Sequence, residues 1–301
     1  MFSSFRFYKI ASLWPADEMS LHQALSEVSF KPCGTFSENS FGFVPPVATE
    51  DELLCRHLAG CDLLTMRAQA RVLPTAVVKE HVQERADAFE QRTGRKPSRK
   101  ETRDLKDEVY AELLPKTLLK SDLIGAFYIH KEQVLAIATP TASIAETVLD
   151  KLREALGSLQ ATPLEFKHSI RELLDQVFYK RGPDELLPGR ECRMKDPGEP
   201  KSSVNWLDMD LSDSSVRAHV KAGLVVDRLA VQFDTAAKFT VDEEIVIRKF
   251  KIEGIEALDE IVGESEPEED PLLRHDAEFT LQSGTVTRVI ECFKQNLGGY
   301  A

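Results

Sequence analysis

Residues 74–115 read PTAVVKEHVQERADAFEQRTGRKPSRKETRDLKDEVYAELLP, and this stretch carries the clearest local structure signals in the chain. Apolar residues between Val78 and Phe89 recur at helical spacing, and Gly94 can end that helix. Ser98 and Glu101 have the spacing of a capping box at the start of a second helix. The stretch therefore predicts two antiparallel helices joined by a short turn.

The turn and the second helix form the most basic part of the chain. From Arg92 to Lys106, seven basic and two acidic side chains give fifteen residues a charge of +5. At about 100° per residue, the cationic, apolar and acidic side chains of this helix fall mostly on three separate faces, with Lys100 on the acidic side. Charge runs are usually solvated and held by ion pairs such as Arg103 with Asp107. The separation of cations and anions onto different faces instead favours contact with a polyanion. Both a solvated helix and a polyanion contact therefore stay open.

The overall composition is that of a folded protein. The chain has 301 residues, of which 42% are hydrophobic and 29% are charged, and no apolar run reaches the length of a membrane helix. Its 38 basic and 50 acidic residues give a net charge of -12, which argues against a surface that binds polyanions everywhere. Five dispersed cysteines do not resemble a disulfide framework, so we expect a reducing, cytoplasmic environment.

The acidic charge is concentrated near the C-terminus. Eleven acidic residues and one basic residue lie between Glu253 and Glu278. Within that range, the composition of Gly263 to Pro271 predicts a solvated loop. An alternative is a protein-interaction module in which Glu264 to Asp270 repels nucleic acid or engages a basic partner.

The rest of the chain predicts a mixed α+β fold in which strands and helices alternate. Predicted strands are Phe5–Ile10, Asp62–Gln69, Ile124–Ile129, Val134–Ala138, Leu224–Phe233, Glu244–Ile252 and Ala277–Gln282. Predicted helices are Met19–Phe30, Thr141–Leu156, Ser169–Tyr179, Asp213–Ala222 and Thr285–Leu297. Pro and Gly between Arg181 and Pro200 indicate a small lobe or a linker. We expect a central body of residues 1–73, 121–165 and 223–301, a helical hairpin of residues 74–120, and a small lobe of residues 166–222.

Common catalytic and cofactor signatures are missing, so neither a cofactor nor a metal site is expected. Cys55, His57 and Cys61 lack the paired spacing of a zinc site, and the leucines beside them predict a packed helix. Asp208 and Asp210 could hold a divalent cation as in a nuclease, but carboxylates ahead of a helix more often cap it. The nuclease stays as the alternative of a different class.

Several short strings, in order along nearly the whole chain, resemble the RdgC family of recombination-associated bacterial proteins. The sequence Leu105-Lys-Asp-Glu-Val109, followed by Leu113-Leu-Pro115 after a basic hairpin, is the most specific of them. The other matching strings are Phe30–Gly34, Gly42–Pro46, Ala155–Leu159, Pro163–Leu164, Ala222–Val231 and Asp276–Leu281.

The resemblance implies a non-enzymatic, nucleoid-associated protein that binds double-stranded DNA with little sequence preference and restrains the recombinase RecA through competition for DNA. It also implies a crescent-shaped α+β subunit with a protruding basic hairpin, which pairs into a ring-shaped homodimer around DNA. The sequence departs from the family at Leu118, where an aromatic residue is common, at Asp208-Met209, where Lys-Gln is common, and at Leu224, where Lys is common.

The basic hairpin is accordingly our candidate for the DNA contact. We expect phosphate contacts from Arg92, Arg95, Lys96, Arg99, Lys100, Arg103 and Lys106, with Lys116 and Lys120 as weaker candidates. Leu118 and Leu119 are the expected apolar residues of a dimer contact, and no catalytic residue is expected.

Overall fold

The computed structural model describes residues 1–47, 52–199, 202–253 and 271–301. It confirms a mixed α/β fold with antiparallel sheets, while the acidic segment Glu264 to Asp270 lies outside the described residues. The helices are α1 Glu18–Ser26, α2 Thr75–Thr93, α3 Arg99–Leu113, α4 Ala142–Leu156, α5 Ile170–Phe178, α6 Ser214–Lys221 and α7 Pro271–Asn296. The strands are β1 Arg6–Ile10, β2 Asn39–Val44, β3 Cys55–Leu58, β4 Cys61–Val72, β5 Leu118–Ile129, β6 Val134–Ile137, β7 Ala161–Pro163, β8 Leu186–Lys195, β9 Ser203–Trp206, β10 Val225–Phe233, β11 Ala237–Asp242 and β12 Ile247–Ile252. None of these helices combines the length and the apolarity that crossing a membrane requires.

The chain divides into two compact units. The first contains Met1–Glu27, Pro45–Leu64 and Gly125–Ala301, and the second contains Val28–Val44 and Thr65–Ile124. The three-part division expected from the sequence stays a prediction.

The first unit has a core between sheets and helices. In one sheet, β1 pairs with β6 and β7, and β6 pairs with the end of β5. The other sheet has the order β12-β11-β10-β8-β9. Phe5 lies at the centre of the core, with its ring centroid 5.8 Å from that of Phe127 and 5.4 Å from that of Phe250. Aromatic packing of this kind contributes buried area and a preferred edge-to-face geometry.

The second unit contains the two helices that the sequence predicts. Helix α2 ends at Gly94, whose φ of +72° is the left-handed cap conformation, and Ser98 and Glu101 form the predicted capping box of α3. Val78 of α2 and Val109 of α3 are buried, which confirms the predicted apolar faces. In the same unit, β2 pairs with residues 65–70 of β4.

Two secondary-structure predictions are wrong. Ala277–Gln282 belongs to α7 instead of a strand, because an alternation of apolar and polar residues over only six positions does not exclude a helix. Cys55–Leu58 is a strand instead of a packed helix, and it pairs with residues 61–64. The stretch between Arg181 and Pro200, which the sequence indicates as a small lobe or a linker, contains β8, and β8 pairs on one side with β10 and on the other with β9. Its Pro188 and Gly189 lie near a register shift in the β8–β10 pairing, where such residues are tolerated.

Candidate functional site

The acidic side chains of α3 are largely engaged by neighbouring cations. Arg85 of α2 forms ion pairs with Glu108, at 3.5 Å, and with Glu112. Arg95 donates two hydrogen bonds to Glu101, of 2.9 and 2.7 Å. These bonds, with those from Ser98, lower the pKa of Glu101 to about 2. Much of the negative charge on α3 is therefore already neutralised within the α2–α3 pair.

The cationic side chains of the pair are mostly left without an anion. Arg92 lies over the ring of Phe89, with 5.9 Å between its guanidinium carbon and the ring centroid. The Arg103–Asp107 ion pair expected of a solvated helix is not found among the described residues. Six of the nine predicted phosphate contacts are exposed and have no carboxylate partner among the described residues: Arg92, Lys96, Arg99, Lys100, Arg103 and Lys106. The other three predicted contacts do have carboxylate partners: Arg95 pairs with Glu101, Lys116 with Glu112, and Lys120 with Asp122.

Leu118 and Leu119 lie at the start of β5 and are exposed to 82% and 44%. Leu123 of the same strand is exposed to 62%. Exposed apolar side chains that lie close together on one strand favour a protein contact. The strand therefore offers apolar surface of the kind expected at a protein contact.

A second cationic surface, which the sequence did not predict, lies on the five-stranded sheet of the first unit. A cavity of about 160 Å³ is lined there by four cations together with Trp206. Three of the cations are paired: Arg193 with Asp227, Arg248 with Asp242, and Lys249 with Glu191.

Arg228 is the exception in this cavity. Among the described residues it has no ion pair, and its Nε and the Nε1 of Trp206 are buried without a hydrogen-bond partner. Burial, followed by the charges of Arg193 and Arg248, lowers the pKa of Arg228. A partly buried cation with unused donors can bind an anionic group. No local sequence signal identifies it, because these cations come from different strands.

The carboxylates considered for a nuclease have structural partners. Asp208 accepts a 2.6 Å hydrogen bond from Arg190, and Asp210 accepts one of 2.8 Å from the amide of Ser212. Asp213 caps α6 through the amide of Ser215, as its position ahead of a helix predicts.

The three soft residues Cys55, His57 and Cys61 do not converge on one point as ligands. Cys55 and Cys61 are buried, and burial raises the pKa values of their thiols to about 12 and about 11. The imidazole of His57 instead contacts Asp62, with 2.7 Å between Nδ1 and Oδ1.

Comparison with known proteins matches the chain to one family. Residues 1–300 match a family model described as "Putative exonuclease, RdgC". The chain is 27% identical over 300 residues to the recombination-associated protein RdgC of Shewanella piezotolerans, covering 99% of this chain and 98% of the relative. It is 31% identical over 297 residues to the protein of the same name from Stenotrophomonas maltophilia, covering 96% of each chain. A match that extends over essentially the whole of both chains, together with the strings quoted above, identifies the chain as a member of the RdgC family.

Proposed function

We propose that this protein binds double-stranded DNA without sequence preference and acts in recombination without catalysing a reaction. The observation that carries the proposal is that six of the predicted contacts on the α2–α3 pair are exposed cations without a carboxylate partner in the described part of the chain. Arg85 and Arg95 engage Glu101, Glu108 and Glu112 of α3, so the six cations outnumber the remaining carboxylates of this helix, Asp104 and Asp107, and keep a net positive charge available for phosphates.

The chemistry of the surface favours phosphates over bases. Flexible lysine and arginine side chains on an exposed helix release condensed counterions when they meet phosphates, and this contribution is independent of sequence. Arg228 in the cavity of the first unit is a second candidate phosphate contact, because among the described residues its guanidinium has no ion pair.

The assembly and the biological role extend the same proposal. The exposed leucines of β5 support a homodimer, which would form a ring around DNA from two crescent-shaped subunits. The relatives' name, recombination-associated protein, supports a role in recombination. The protein would then be nucleoid-associated and would restrain RecA by occupying duplex DNA.

The test of DNA binding is a salt titration of fluorescence anisotropy with two duplexes of unrelated sequence. We expect equal affinities and a log-log salt slope of about -0.9 per neutralised phosphate. The double variant Arg99→Ala/Arg103→Ala should flatten the slope by about 1 to 2 on both duplexes.

The matched control is Lys151→Ala/Arg153→Ala on α4, which removes the same charge from cations that are paired with Glu154 and Asp150. This control should change the slope less than the α3 variant. If the two variants change the slope by equal amounts, or if neither changes it, the assignment of the contact to α3 is wrong.

The family description favours one alternative, an exonuclease. Incubation of linear and nicked duplex with protein and Mg²⁺ distinguishes the two functions. Degradation that disappears in Asp208→Asn/Asp210→Asn would support the nuclease and contradict a purely binding role.

A further inference from the structure

The first unit contains a group of polar side chains that the proposed DNA contact does not use. His57 of β3 and Asp62 of β4 are direct cross-strand partners in the antiparallel pairing. The two-residue turn between these strands, Ala59 and Gly60, has φ values of +51° and +74°. Positive φ at both turn positions is typical of the tightest hairpin connections. The hairpin therefore fixes the imidazole and the carboxylate side by side.

His130, which follows β5, completes the group. Its amide donates a 3.2 Å hydrogen bond to the carbonyl of Gly60, which ties it to the hairpin turn. Its Nε2 lies 2.7 Å from Asp62 Oδ2, while His57 Nδ1 lies 2.7 Å from Asp62 Oδ1. One ligand atom from each of the three side chains lies within 4.8 Å of the other two.

We propose that His57, Asp62 and His130 form a binding site for a divalent transition-metal ion of the zinc class. Two imidazole nitrogens and one carboxylate oxygen suit Zn²⁺ and Co²⁺, whereas Mg²⁺ and Ca²⁺ prefer sites made of oxygen alone. With neutral imidazoles the group carries one negative charge, which attracts a divalent cation. Three protein ligands leave a coordination position for water.

The surroundings hold the ligands in place and leave a way in. Trp14 Nε1 donates a 2.7 Å hydrogen bond to Asp62 Oδ2, and such outer contacts orient ligating carboxylates. The Trp14 ring stacks on Tyr128 with 4.2 Å between centroids, and the edge of His130 contacts the same tyrosine. Asp62 is buried, but the side chains of His57 and His130 are exposed to 48% and 33%. An ion can therefore reach the group from solvent.

The competing interpretation is a hydrogen-bonded triad that needs no ion. Asp62 already accepts bonds from Trp14 and lies within hydrogen-bond distance of both imidazoles, so its burial is satisfied without metal. The two interpretations differ in whether the full-length protein takes up Zn²⁺ stoichiometrically, and in which histidines that uptake needs.

The test is calorimetric titration of the metal-free, full-length protein with Zn²⁺, together with visible absorption after addition of Co²⁺. We expect one ion per chain and ligand-field bands from bound Co²⁺. His57→Ala and His130→Ala should each weaken binding by more than about tenfold, since loss of an outer contact alone costs about 10- to 100-fold. The matched control is His81→Ala, which removes an exposed histidine of α2 that faces Glu84 and should leave binding unchanged.

Trp14 provides a local readout. The chain has two tryptophans, so a Trp206→Phe background leaves Trp14 as the single indole emitter, and Co²⁺ should quench it. No uptake of Zn²⁺, or uptake that His57→Ala and His130→Ala leave unchanged, would overturn the proposal. Because His57→Ala and His130→Ala do not alter the α2–α3 cations, their DNA salt slope should stay that of the wild type, so the two proposals can fail separately.

Discussion

At Gly42 in β2, the backbone of a neighbouring segment comes too close for any side chain. A Cβ added there would lie 2.4 Å from the Cα of Phe30 and 2.6 Å from its nitrogen. The approach is held by hydrogen bonds from the Phe30 amide to the Phe43 carbonyl, 2.9 Å, and from the Phe43 amide to the Val28 carbonyl, 3.1 Å. The strings around Phe30 and Gly42 are therefore two sides of one backbone contact.

We expect Gly42→Ala to destabilise the protein by about 1 to 3 kcal/mol, because the added methyl must displace backbone atoms. The matched control is Gly284→Ala in α7, where an added Cβ meets nothing within 4 Å. That change should be neutral or stabilising by up to about 1 kcal/mol, since alanine favours the helix. Urea denaturation of both variants measures the difference, and equal effects would contradict the close approach.

Arg228 and Arg193 line the same cavity, but removal of their charges should have different effects on the stability of the protein. Arg228→Met removes a cation that lacks an ion pair in the described part of the chain, so the thermal midpoint should rise or stay unchanged while DNA affinity falls. Arg193→Met leaves buried Asp227 without its ion-pair partner and should cost about 2 kcal/mol. Thermal unfolding and anisotropy on both variants check the prediction, which a stability loss in Arg228→Met would contradict.

The N-terminus of α3 should contribute stability that depends on pH. Glu101 has a folded pKa of about 2, below its ordinary value of 4.5, because it accepts hydrogen bonds from Arg95 and from Ser98. A carboxylate with a lowered pKa contributes stability above its unfolded pKa, and that contribution is lost as pH falls through the folded value.

Glu101→Gln should therefore lower the thermal midpoint at pH 7, and the difference from wild type should shrink between pH 4.5 and pH 2. Ser98→Ala removes the other half of the capping box and should cost about 1 kcal/mol. Circular dichroism melts across this pH range provide the measurement. A difference that stays constant down to pH 2 would show that Glu101 is not stabilised in its ionised form.

At the scale of the whole molecule, we expect a dimer in solution that depends on the exposed leucines of β5. Leu118→Ser/Leu119→Ser should shift light scattering at micromolar concentration towards the monomer, because it removes apolar area that a partner would cover. Leu187→Ser, on an equally apolar residue of β8 exposed to 49%, is the matched control and should not change the mass. A wild-type monomer at that concentration would contradict the proposed ring.

The helix pair, its turn and its caps could be predicted from the sequence, because the signals for them lie within a few residues of one another. Gly94, Ser98 and Glu101 act through local backbone geometry, and the apolar spacing of α3 needs only the helical repeat. The strings shared with the RdgC family were also readable directly. The conformation of short alternating segments such as Ala277–Gln282 was not, since it depends on what covers them.

Tertiary structure alone decided which charges are available and which polar side chains meet. Acidic side chains of α3 are paired with Arg85 of α2, and this contact exists only once the two helices pack together. The cavity at Arg228 is lined by side chains of strands that are far apart in the chain. His57 and Asp62 are brought together by strand register, and His130 joins them from 68 positions beyond Asp62. Except for the local hairpin that joins His57 and Asp62, these arrangements depend on long-range pairing and burial, which no short stretch of sequence encodes. Charge, caps and helical spacing are instead local properties of the chain.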